Sequence, residues 1–292
     1  MNKLRKILII FCGGTISMHR NQTTGALDVG YNPDHLFELE PRIAGLAQID
    51  IHFLANIDSA NLTPADWEKM VTVIEGNYQK YDGFVVTIGT NTMAYASSAV
   101  SFAIQNIGKP VVFTGAQIPA EAISTDARNN LVNALRVATM NIAGVFVVFG
   151  SKLILGCRAK KMSETDLDAF GTFNDQDFGE ISIGIKVNKT NIGRHHNLPT
   201  FRNGFNPKII NLTCIPGLDI SYLKSIIDSG IKGVVIRGFG SGDLPYSYIP
   251  FLEYARDQEV PIIVTTQGRG STIMGLNDPG LKALEAGAIQ AF

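Results

Sequence analysis

A chain of 292 residues with 45% hydrophobic and 17% charged side chains has the composition of a globular protein of one or two domains. Its formal net charge of −1, with no basic run and no aromatic-basic stripe, argues against a phosphate-binding surface, so neither nucleic acid nor membrane is an expected partner. Cys12, Cys157 and Cys214 are odd in number and widely spaced, which fits free thiols in a reducing, cytoplasmic compartment. No Cys-x-x-Cys pair occurs and His195 and His196 are adjacent, so no metal and no cofactor is expected.

Lys3, Arg5 and Lys6 before Ile7–Cys12 imitate the start of a signal peptide. The apolar run is short, however, and glycines follow it in place of a cleavage site, so a first buried strand is expected. Ile7–Phe11, Phe84–Thr87, Val111–Phe113 and Val145–Phe149 are apolar without polar alternation, as strands covered on both faces are. Helices are expected between them. Thr63-Pro-Ala-Asp66 opens one with an N-cap threonine, a proline and an early carboxylate; Met93–Ile107 and Asn129–Ala138 are two more. This order predicts an α/β fold with a doubly wound parallel sheet. The stretch 186–207 is rich in Asn, Arg, His and Gly and predicts a linker, set at 189–207, between a larger domain (1–188) and a smaller α/β domain (208–292). The smaller domain should hold strands at Ile209–Thr213, Gly233–Arg237, Ile262–Thr265 and Ala288–Phe292, with helices near Tyr222–Asp228 and Ile249–Asp257. No apolar stretch is long enough to span a membrane.

Two strand ends carry hydroxyls. Cys12-Gly-Gly-Thr15 follows the first strand, and Gly89-Thr-Asn-Thr92 follows the strand at Phe84–Thr87. Open α/β sheets bind ligands at such carboxyl ends. A hydroxyl nucleophile needs a base and an oxyanion hole. Thr15 beside glycine N–H groups offers the nucleophile, Thr90 a second hydroxyl, and Lys160 or Lys161 a base. Taken singly, each has a plainer reading: a tight turn for the glycines, a solvated pair for the lysines. Gly238-Phe-Gly-Ser-Gly242 after a strand misses the dinucleotide fingerprint, because its third glycine is misplaced.

Together the motifs resemble the bacterial-type L-asparaginases, most closely the cytoplasmic type I branch. The family's Thr-Gly-Gly-Thr-Ile is similar to Cys12-Gly-Gly-Thr-Ile16, and its Asp-Ser-Ser segment to Asp58-Ser-Ala-Asn-Leu-Thr-Pro64. Its His-Gly-Thr-Asp-Thr-Met-Ala-Tyr resembles Ile88-Gly-Thr-Asn-Thr-Met-Ala-Tyr95, and its Lys-Pro-Val-x-x-Thr-Gly-Ser-Gln resembles Lys109-Pro-Val-Val-Phe-Thr-Gly-Ala-Gln117. The family lysine precedes Asp-Ala-Phe at a spacing that here selects Lys161 and Phe170.

The resemblance implies hydrolysis of the side-chain amide of L-asparagine, with a small-molecule amide as partner and a homodimer or dimer of dimers as assembly. Thr15 would attack the amide, Thr90 would position water for the second step, and Lys161 would tune proton transfer. Asp58, Ser59, Gly89, Asn91 and Ala116 would bind substrate, Ser59 holding its carboxylate. Residues 19–31 would form a lid, with Tyr31 as its catalytic tyrosine. Three positions depart from the family: Asn91 replaces an aspartate that binds the substrate ammonium and pairs with the lysine, Ile88 replaces a histidine, and Asp243 replaces an asparagine that reaches the ammonium from a neighbouring subunit. Without a carboxylate at position 91, Lys161 loses its counter-ion, which favours a neutral amine acting as a base. The resemblance also leaves 208–292 short of the family's final helices. The alternatives are an impaired or substrate-shifted homologue that binds or regulates, and the asparaginase-like subunit of an archaeal amidotransferase, whose extra N-terminal domain a strand starting at Ile7 leaves no room for.

Overall fold

The computed structural model describes residues 4–20, 27–29, 40–188 and 193–291, within two compact units, Met1–Phe205 and Asn206–Phe292. In the first unit, strands β1 (Lys6–Phe11), β2 (Gln48–Phe53), β3 (Gly83–Thr87), β4 (Pro110–Thr114) and β5 (Gly144–Phe149) run parallel in the order β2-β1-β3-β4-β5. Strands β6 (Lys152–Leu155), β7 (Gly179–Ile181) and β8 (Ile185–Val187) continue the sheet antiparallel beyond β5. The doubly wound parallel sheet expected from the apolar runs is therefore present, with an antiparallel extension.

Helices α1 (Pro64–Asn77), α2 (Met93–Ala103) and α3 (Ala127–Thr139) cover it on two faces. Side chains of a strand alternate between faces. Leu8 and Ile10 of β1 thus join Met70, Val71 and Ile74 of α1 and Val100 of α2, whereas Ile7, Ile9 and Phe11 join Leu131, Ala134 and Leu135 of α3. Burying one such side chain contributes about 1.5–3 kcal/mol. At the start of α1 the Asp66 carboxylate accepts from the Thr63 backbone N–H at 2.9 Å and hydroxyl at 2.8 Å, as the Thr-Pro-x-Asp signal predicts.

The second unit is a parallel sheet in chain order: β9 (Ile209–Thr213), β10 (Gly233–Gly238), β11 (Ile262–Thr266) and β12 (Ile289–Gln290). Helices α4 (Ser221–Asp228), α5 (Ile249–Asp257) and α6 (Asp278–Glu285) share one core with it, including Leu223, Phe251, Val264 and Ala283.

Some elements differ from expectation. The helix expected over Met93–Ile107 stops at Ala103, because Ile104 turns extended and Ile104–Gln105 pair with Thr200–Phe201. Asn106 then takes φ 56°, a conformation asparagine tolerates. Residues 193–205, inside the stretch read as linker, bond into the first unit: Arg194 reaches backbone carbonyls of Met140 and Ala138, and the Asn203 amide the Glu68 carbonyl. Strand β2 is not an unbroken apolar run, because Gln48-Ile-Asp-Ile-His-Phe53 alternates, as an edge strand does. Phe292, the end of the last expected strand, lies outside the described residues. Among the described residues no helix is long and apolar enough to cross a membrane, and no three His, Cys, Asp or Glu side chains gather as a metal-ligand set.

Candidate active site

Strand order reverses between β1 and β3, and the crevice at their carboxyl ends is where such sheets bind ligands. The turn after β1 is compressed. Gly13 and Gly14 take φ 82° and 90°, and a Cβ on Gly14 would stand 2.7 Å from the Cα of Gly89. Only glycine permits both the left-handed backbone and that approach. The turns after β1 and β3 therefore lie backbone on backbone. Two hydrogen bonds extend the ladder past the strand ends: Cys12 N–H donates to the Thr87 carbonyl at 2.9 Å, and Ile88 N–H to the Thr114 carbonyl at 3.0 Å. Thr15 follows, half-buried, as the first residue of the one-turn helix Thr15–Ser17; Thr90 is buried. Neither hydroxyl has a hydrogen-bond partner among the described residues.

The segment after β2 closes one side. Exposed Asp58 caps the turn Ser59–Asn61, its carboxylate accepting from the Ala60 N–H at 2.9 Å. Ser59 is buried, and a Cβ on Gly89 would meet its Oγ at 2.5 Å. The Thr92 hydroxyl ties the two segments by donating to the Ser59 carbonyl at 2.8 Å. The segment after β4 closes another side. There the Asp126 carboxylate accepts from Gln117 and Ile118 N–H, both at 2.9 Å, and the Asn130 amide donates to the Gly115 carbonyl at 3.0 Å. Ala116 is fully buried within this turn.

Lys161 enters from a hairpin in which Ala159–Lys161 pairs antiparallel with Phe170–Thr172, Lys161 opposite Phe170. The Phe170 ring lies 4.9 Å from that of Phe149 on β5, which fixes the hairpin to the sheet and explains why the spacing to Asp-Ala-Phe matters. The Lys161 side chain is only 12% exposed, so it does not point into solvent. Its ammonium donates to Asn91 Oδ1 at 3.2 Å and to the carboxylate of Glu164. This corrects the expectation that Lys161 lost its counter-ion with the aspartate at position 91. Glu164, three residues further along the same hairpin, supplies one. Motif readings follow strand ends and pass it over, although the short Lys161-Met-Ser-Glu164 spacing is a visible signal.

The structure thus brings Thr15, Ser59, Gly89, Thr90, Asn91 and Lys161 to one end of the sheet, beside the turn that holds Ala116; Asp58 stands at the rim with its carboxylate engaged. Tyr31 lies outside the described residues, as do 21–26 and 30 of the expected lid. Asp243 is in the second unit, beside the start of α6. One of its oxygens accepts from the Asn277 amide at 2.7 Å, and the other is buried, near Gly280, without a hydrogen bond among the described residues. A helix N-terminus favours such an anion. Burial foremost, and the Asp66 carboxylate second, push the Cys12 thiol far up, so the residue that precedes the glycine turn is an inert packing group.

Two family models match the chain: Asparaginase, N-terminal, over residues 6–193, and Glutaminase/Asparaginase C-terminal domain over residues 208–292. The L-asparaginase of Thermococcus kodakarensis is 32% identical, across 98% of this chain and 88% of that protein. A glutamyl-tRNA(Gln) amidotransferase component of Methanosarcina mazei is 33% identical, across 98% of this chain and 70% of that protein. Among solved structures, L-asparaginase I from Vibrio cholerae superposes with a TM-score of 0.86 at 30% identity, covering 98% of this chain and 88% of that one. On these matches, and on a fold shared across both units, the chain is an enzyme that belongs to the asparaginase family of amidohydrolases.

Proposed function

We propose that the chain hydrolyses the side-chain amide of L-asparagine to L-aspartate and ammonia, with Thr15 as nucleophile. The observation that carries this reading is the backbone contact of Gly14 with Gly89, which sets two hydroxyls, unpartnered among the described residues, at the sheet's reversal point. Thr15 Oγ bonds to the amide carbon while its proton passes towards the leaving nitrogen. N–H groups of the two turns face the developing oxyanion, and the C–N bond breaks to release ammonia. Water positioned by Thr90 then cleaves the ester and restores Thr15. Lys161 beside Asn91 serves the proton transfers, and Ser59 holds the substrate carboxylate, with Asp58, Gly89 and Ala116 shaping the remaining wall. Tyr31 on the lid would complete the first step, as the family resemblance suggests.

Ammonia release from L-asparagine, L-glutamine and amides lacking the α-amino group tests the reading. Thr15→Ala should lower turnover at least about 10³-fold with an unchanged circular dichroism spectrum. Retained turnover in that variant rejects the nucleophile. Binding of asparagine without ammonia release by the wild type would favour the impaired, regulatory alternative. The Methanosarcina mazei relative supports a second reading, ammonia supply to an amidotransferase. A need for a partner protein before any ammonia appears would select it.

The assembly proposed is a homodimer or dimer of dimers and the compartment the cytoplasm; both follow the family resemblance, and the odd, widely spaced set of three cysteines fits a reducing compartment. In that assembly the partner subunit's Asp243 is one candidate for the charge that binds the substrate ammonium. Asp243→Asn should then cost much of the activity, and adding Asn91→Asp should recover part of it through a coupling of roughly 0.5–3 kcal/mol. Strictly additive effects would reject the exchange.

A further inference from the structure

We propose that Glu164 is the positioning residue of Lys161, supplying from the lysine's own hairpin the carboxylate that position 91 lacks. The inference rests on the hydrolase reading for its role in turnover, but the contacts that carry it do not.

Among the neutral Thr15, Ser59, Thr90 and Asn91, Lys161 is the cation, and its side chain is 12% exposed. A buried ammonium without an anion is costly. The Asn91 oxygen at 3.2 Å gives it a dipole and no charge. Glu164 gives the charge, and at 76% side-chain exposure its carboxylate stays largely hydrated while it does so. The pair therefore avoids most of the desolvation that makes fully buried ion pairs unprofitable.

An exposed glutamate on a loose loop would contribute little. This loop is held. The Ser163 hydroxyl accepts from Thr165 N–H at 3.2 Å and Asp166 N–H at 3.1 Å, which turns the chain back at Glu164. The Gln117 amide donates to the Glu164 carbonyl at 3.0 Å, and the Gln117 backbone is itself held by Asp126. The scaffold that fixes the turn at Ala116 thus also fixes the backbone from which Glu164 reaches Lys161. With Asn91 on one side and Glu164 on the other, two of the three ammonium donors are assigned, and Nζ is kept beside the Thr90 turn.

Four proteins test this: wild type, Glu164→Gln, Asn91→Asp, and the double variant. Each is measured for kcat and KM on L-asparagine and for acetylation of Lys161 by an amine-reactive ester, read by peptide mass spectrometry. Glu164→Gln should lower kcat about tenfold and change KM less than about threefold, and adding Asn91→Asp should return kcat to within about threefold of wild type. Lys161 acetylation should rise several-fold in Glu164→Gln and fall back in the double variant. Wild-type kcat and acetylation in Glu164→Gln would overturn the proposal. So would a loss that Asn91→Asp does not recover, since a glutamate that merely stabilised the loop would lower the unfolding midpoint without responding to a charge at position 91. If wild type releases no ammonia, the hydrolase reading fails separately. Acetylation alone then decides: a rise and recovery sustains the pairing, and no change rejects it.

Discussion

Replacing Gly14 by alanine tests the contact on which the site geometry depends. The new Cβ would lie 2.7 Å from the Gly89 Cα, inside a distance that real Cβ atoms avoid, and the opposing atoms are backbone that cannot rotate away. The left-handed backbone, φ 90°, adds about 1–2 kcal/mol for any L-residue with a side chain. Forcing an extra methyl into packed structure adds about 1–3 kcal/mol. The sum is about 2–5 kcal/mol lost from the first unit. Gly76 provides the internal control: it lies within α1, nothing stands within 4 Å of its added Cβ, and Gly76→Ala should gain about 0.5–1 kcal/mol. Urea unfolding followed by Trp67 fluorescence reads both, because this sole tryptophan sits on α1 and reports the first unit. Ammonia release should fall in Gly14→Ala even in the absence of urea, since the turns that carry Thr15 and Thr90 must separate. A Gly14→Ala protein within about 1 kcal/mol of wild type and fully active would refute the reasoning, because the penalty and the convergence share one contact.

Two other perturbations probe different parts of the molecule. Arg194 donates to the carbonyls of Met140 at 2.7 Å, Ala138 at 2.6 Å and Asp82, and burial foremost brings its guanidinium down to about 10, still charged at neutral pH. Arg194→Ala should cost about 2–4 kcal/mol in urea unfolding by stranding those carbonyls, and Arg194→Lys should recover little because a point charge cannot span them; a near-neutral lysine variant would refute the fork. Of the three cysteines, Cys12 and Cys214 are buried, with both thiols pushed up mainly by that burial, and Cys157 is exposed. Ellman's reagent should titrate one thiol quickly in the native protein and all three after unfolding, and a second fast thiol would contradict the burial of Cys12 or of Cys214.

The elements legible in the sequence were those whose signal is local. An apolar run without alternation marks a strand covered on both faces, and β1, β3, β4 and β5 lie where such runs placed them. Thr63-Pro-Ala-Asp66 carries its own capping chemistry and begins α1 as expected. The elements not legible take their partners from far along the chain. Nothing in Ser97–Gln105 announces that Thr200–Phe201 will pair with Ile104–Gln105 and end α2 early. Nothing in Gln48–Phe53 distinguishes an edge strand from an alternating loop until β1 lies beside it. The role of Gln117, which holds the loop of Glu164 some forty-seven residues away, belongs to the same class.

The site divides along the same line, and the division has a physical reason. A motif such as Cys12-Gly-Gly-Thr15 is read reliably because it specifies a backbone path: the left-handed turn and the approach to Gly89 tolerate no side chain at Gly14. Position 91 specifies no such path. The contribution that the family resemblance assigns to that position is a negative charge within reach of one ammonium, and any carboxylate on a held backbone within that reach can supply it. Loss of an aspartate at a single motif position is therefore weak grounds for reading an empty site. The informative question is which anion now faces the lysine. In this chain Asn91 keeps the hydrogen bond to Lys161 and Glu164 carries the charge, so geometry and charge are divided between two residues.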